Sequence, residues 1–208
     1  MKRILFVIFC ITLLIKPAFA EIQREAMPVI KFNKSEFSLF YSAKTAAPAS
    51  YINEYYKNNQ TYSTWNELMA LHHYPDAESP SEQAKVFKNY LTEKGTMSEL
   101  EVYDDDTAVL SFFAINSKRV PVLLEYNVFR FTEYDKGGTL GIQYAKRFRL
   151  NNALEAENIK REYKKNWKKY VKEINKIEIP ELYTVKIDEG RVITNESPEE
   201  RYFSEFRY

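Results

Sequence analysis

His72 and His73 are the only histidines in 208 residues, and they are adjacent. Neighbouring side chains of a strand point to opposite faces, so the two imidazoles are not placed to ligate one metal together. Zinc would also need further His or Cys ligands, and the lone cysteine, Cys10, sits in an apolar run near the N-terminus. No metal and no cofactor is expected. Singly, either imidazole can act as a general base, with a carboxylate such as Glu54 from a neighbouring strand in support. That would be the chemistry of a small cofactor-free hydrolase. The plainer reading places one imidazole in the core and the other on the surface.

Other reactive arrangements do not close. There is no G-x-S-x-G elbow and no Ser-x-x-Lys pair, and Ser111 lies between large apolar neighbours where a packed residue is expected. Asp104, Asp105 and Asp106 lack the glycine and the closing glutamate of a calcium loop, so they read as a turn. Five glycines are too sparse for a phosphate-binding loop.

The elements that must position these residues follow from periodicity. Residues 21–33 read as a lead into a strand, and Glu36 to Ala43 alternates as another, with Phe37, Leu39 and Tyr41 on one face. A small-residue stretch ending at Ser50 precedes an aromatic strand from Tyr51 to Lys57. Thr64, Trp65, Asn66 and Glu67 have capping-box spacing, which predicts one helical turn before a strand from Leu68 to Tyr74. Ser79, Pro80, Ser81 and Glu82 open a helix with Ala84, Phe87, Tyr90 and Leu91 on one face and Gly95 as its stop. From Met97 the period falls to two. Strands over 98–103 and 107–115 are followed by two long ones, 120–134 and 139–150, joined through Gly137 and Gly138 as an antiparallel hairpin. A second, longer helix runs from Ala153 to Asn175, capped by Asn151 or Asn152. Short edge strands are expected at 177–179 and 183–187. The fold class is α+β: a mainly antiparallel sheet of about six strands, packed with a mid-chain helix and a long C-terminal helix.

Lys2 and Arg3, the apolar run from Ile4 to Ile15, and Ala18 and Ala20 about Phe19 have the layout of a cleavable export signal. A run of twelve residues falls short of the roughly 20 that a stable span needs. Cleavage after Ala20 leaves 188 residues and moves the formal charge from +1 to −2. It also removes Cys10, and with it any disulfide or thiol chemistry. The expected organisation is a signal peptide over 1–20, a single domain over 21–180 and a polar, partly ordered extension over 181–208.

The long helix carries a net charge of +4 over residues 153–176. Lys164, Lys165, Lys168 and Lys169, with Trp167 nearby, offer weak contact to an anionic membrane surface. Nucleic acid is not an expected partner for a slightly acidic exported chain.

The segment YINEYYKNNQTYSTWNELMALHHYP, Tyr51 to Pro75, resembles a pattern found in small exported bacterial proteins of unassigned function. It runs from an aromatic strand through a polar turn and a tryptophan turn to a strand ending in proline. From Phe37 to Asn175 the order of elements is similar to the PsbP/Mog1-type α/β sandwich. That resemblance implies an accessory or binding role without an active site. The expectation is therefore an exported, periplasmic or secreted, non-catalytic protein that binds an envelope component or a protein partner. Tyr51, Tyr55, Trp65 and His73 are its candidate binding residues. The alternative is the hydrolase using His72 or His73 with Glu54.

Overall fold

The computed structural model describes residues 27–45, 49–57, 60–118, 120–188 and 191–192. The export signal expected over 1–20 and the last part of the C-terminal extension lie outside the described residues.

Among the described residues, ten strands form one antiparallel sheet: β1 (Val29–Phe32), β2 (Ser35–Lys44), β3 (Tyr51–Tyr56), β4 (Glu67–Tyr74), β5 (Ser98–Val102), β6 (Thr107–Asn116), β7 (Val122–Glu133), β8 (Thr139–Leu150), β9 (Ile187–Asp188) and β10 (Arg191–Val192). Eight are of substantial length, where about six were expected; β9 and β10 have two residues each. The lead-in segment accounts for part of the difference. Asn33 and Lys34 both take positive φ, 47° and 65°, the backbone of a two-residue hairpin turn, and fold β1 back on β2. The sheet order is β10-β9-β2-β3-β4-β8-β7-β6-β5, with β1 also on β2.

The two helices among the described residues cover opposite faces. The mid-chain helix, α1 (Pro80–Glu93), is capped by Ser79 Oγ, which accepts from Glu82 N at 3.3 Å. Its Ala84, Phe87 and Leu91 pack on Ala108, Leu110, Phe112, Phe129 and Phe131. The long helix, α2 (Ala153–Ile174), is capped by Asn152, and Glu155 returns its carboxylate to Asn151 N. It lays Tyr163, Val171 and Ile174 over the larger core on the other face. There Tyr126, Tyr144, Tyr163 and Tyr170 pack ring to ring.

Three local expectations are corrected. A bulge between Leu39 and Tyr41 rotates the second half of β2, so Leu39 opposes Tyr55 while Tyr41 opposes Glu54 on the other face. The Trp65 segment is a hydrogen-bonded turn, with Thr64 N and Trp65 N both donating to Thr61 O; Glu67 leaves it to pair with Lys57 at 2.6 Å. Finally, residues 177–186 form no strand. Side chains satisfy their backbone instead: Arg130 donates to Ile177 O at 2.9 Å, and Asn53 exchanges two hydrogen bonds with the Tyr183 backbone at 2.7 and 2.8 Å. Only at Ile187 does the chain join β2.

Candidate functional site

Directly opposed residues of an antiparallel pair share a face, so the register decides which candidates meet. Tyr51 opposes His73 and Ile52 opposes His72. His73, Tyr51 and Tyr55 therefore lie on the α2 face, and His72 and Glu54 on the α1 face. Trp65 packs with Phe40 and Tyr56, also on the α1 face. The four candidate binding residues are thus divided between the two sides of the sheet.

His73 is fixed at both nitrogens. Its Nε2–H donates to Gly137 O at 2.9 Å, so Nδ1 accepts from Ser50 Oγ at 2.8 Å. This chain ties the start of β3 to the β7–β8 hairpin. Ser50 had no signal in the sequence, because its partner is 23 residues away and is set by strand register.

The α1 face holds a polar seam between the aromatic packing of α1 and the Phe40, Tyr56 and Trp65 cluster. Gln143 Oε1 accepts from His72 Nε2–H at 2.8 Å, and Gln143 Nε2 donates to Asn127 Oδ1 at 2.8 Å. Asn127 is wholly buried, and its Nδ2 has no partner among the described residues. Beside it, Arg147 Nε donates to Glu125 Oε1 at 2.6 Å, with side chains 12% and 3% exposed. The Tyr56 hydroxyl donates to Glu54 Oε2. These groups sit at alternate positions of long apolar strands: Glu125 and Asn127 on β7, Gln143 and Arg147 on β8. That period of two was the available sequence signal.

Burial dominates the electrostatics. It pushes the Glu54 carboxyl up to about 7, against the Tyr56 hydrogen bond and the Arg147 charge, with Glu125 adding a smaller upward push. It pulls His72 down to about 4, opposed by the Gln143 bond, so this imidazole is neutral near neutral pH. The Glu125 carboxyl is also raised by burial, with Arg147 opposing. Glu54 can thus exchange a proton near neutrality. Its hydrogen-bond partner is Tyr56, not either histidine, and the serine bonded to a histidine is Ser50, on the opposite face. No group of three His, Cys, Asp or Glu suited to a metal occurs among the described residues.

A different site opens on the α2 face. Between α2 and the start of β5 lies a cavity of about 430 Å³, walled by Phe113, Tyr126 and Trp167. Lys160, Arg161 and Lys164 of α2 also line it, together with Glu99 and Glu157. Ser111, which opposes Glu99, lines it on the sheet side, whereas the side chain of Ser98 opposes Phe112 and belongs to the α1 face. The Tyr126 hydroxyl lies near Ser111 without a well-formed hydrogen bond to it.

A protein-family model matches residues 25–179, about three quarters of the chain. The chain belongs to that family, whose function is unassigned. The family match takes in both helices, the polar seam and every residue lining the cavity, and stops before the segment that rejoins β2. No curated protein and no solved structure matches the chain. No helix among the described residues is long and apolar enough to cross a membrane.

Proposed function

We propose that this protein is exported, loses residues 1–20, and works in the periplasm or outside the cell as a non-catalytic binding protein for an envelope component. The observation that carries this reading is the cavity beneath α2. At about 430 Å³ it falls in the range of roughly 300–1,000 Å³ typical of small-molecule sites. It also combines apolar walls with a few polar groups, the mixture that holds and orients a ligand. The acid-base groups elsewhere are engaged in bonds that fix strands: His72 to Gln143, His73 to Ser50 and Gly137, Glu54 to Tyr56. The four candidate binding residues first singled out serve this reading less well, being split between faces.

The test is to express the chain with its first twenty residues in a Gram-negative host and recover it from the envelope fractions. Native mass spectrometry is expected to give a mass beginning at Glu21 and a small-molecule adduct. Ser111→Phe, which fills the cavity from β6, is expected to lose the adduct while keeping the signal-peptide cleavage. An uncleaved cytoplasmic product would contradict export. An adduct equally present in Ser111→Phe would contradict the site.

A further inference from the structure

The charges on the cavity lining do not balance. Lys160 Nζ lies 3.0 Å from Glu157, and Lys164 Nζ reaches Glu99 only at 3.8 Å. Arg161, the third cation, is held by the neutral Asn158 Oδ1 at 2.8 Å. Lys165, Lys168 and Lys169 stand exposed along the same helix, as does Glu162. Behind this rim the surface turns apolar, with Trp167 on the helix and Phe113 and Tyr126 on the sheet.

We propose that the cavity binds a small amphiphile with one anionic head and an apolar body; the proposal rests on the cavity being the binding site. The head completes the Arg161 guanidinium and competes with Glu99 for Lys164, whose present pairing is long. Guanidinium favours carboxylate or phosphate oxygens because its paired N–H groups match them in spacing. The apolar body lies against Trp167, Phe113 and Tyr126, leaving water as it does so. A cationic amphiphile would meet the three basic groups instead, and a head without charge would leave Arg161 with Asn158 but no counter-charge among the described residues.

Calorimetric titration of the mature protein with sodium decanoate, decanol and decyltrimethylammonium, all below micelle formation, separates the outcomes. Decanoate is expected to bind at least tenfold more tightly than decanol, with the cation weakest. Arg161→Glu and Lys164→Gln, both at exposed positions, are expected to weaken decanoate at least tenfold and leave decanol unchanged. Ser111→Phe should abolish both. Equal affinity for the three probes, or decanoate binding indifferent to Arg161→Glu, overturns the anionic assignment while leaving the cavity as a site. No probe binding in a protein that still carries its envelope adduct overturns this ligand class alone. Loss of adduct and probes together removes the binding reading itself.

Discussion

The Arg147 guanidinium lies 3.6 Å from the centroid of the Trp65 ring while its Nε donates to Glu125. One side chain therefore joins the tryptophan turn before β4 to the middle of β7 and β8. Burying this ion pair costs desolvation, which its hydrogen bond and the ring contact offset. Removing only the cation strands a buried carboxylate. Arg147→Met is expected to cost about 3–5 kcal/mol in urea unfolding, and Arg147→Met with Glu125→Leu to recover most of it. A double variant no better than the single one would show that the pair is not the source of the loss.

Stability against pH tests the two shifted groups. Glu54 is raised from its ordinary 4.5 to about 7, so its stabilisation is fully present below pH 4.5 and is lost as pH rises through 7. His72 is depressed from 6.5 to about 4, so its stabilisation is fully present above pH 6.5 and is lost as pH falls through 4. The slopes oppose one another between these limits, and the parent protein is expected to change little there. Glu54→Gln removes one slope. Its stability relative to the parent should grow from about pH 5 to about pH 8, by at most about 3 kcal/mol. A difference independent of pH would contradict the burial of this carboxyl.

Gly138 holds a φ of 76°, and a Cβ there would meet Tyr74 O at 2.5 Å. Gly137, at 99°, has nothing within 4 Å of its Cβ position. Gly138→Ala should therefore destabilise more than Gly137→Ala, whose cost is the backbone strain of about 1–3 kcal/mol alone. Equal midpoints in thermal unfolding would mean that the hairpin does not press on β4 as described.

The hydrolase alternative has its own check. The parent and the His72→Gln, His73→Gln double variant are expected to be equally inactive on generic ester, peptide and glycan substrates. A turnover present in the parent and absent from the double variant would revive it.

The α+β class, both helix starts and the β7–β8 hairpin were legible because each rests on local chemistry: Ser79 before Pro80, Asn152 before Ala153, and paired glycines between alternating strands. The bulge at Phe40 was not legible, since no residue type demands it, and it turned Tyr41 to the opposite face. The segment after α2 misled for a related reason. Its apolar residues alternate like a strand, but its partners are the side chains of Asn53 and Arg130, more than a hundred and more than forty residues away. Opposite faces for the two histidines followed from strand geometry, whereas the cavity depends on how α2 crosses the β5 end of the sheet. Basic residues and Trp167 on one helix were visible, but Glu99, Ser111, Phe113 and Tyr126, which face them, come from three separate strands.

The most direct test is a crystal structure of the mature protein recovered from the envelope with whatever it carries. Ligand density between α2 and the start of β5, its polar end beside Arg161 and Lys164 and its body against Trp167, is the expected result. Density on the Glu54 and His72 seam instead, or a cavity closed by Trp167 with the ligand bound elsewhere, would contradict the account.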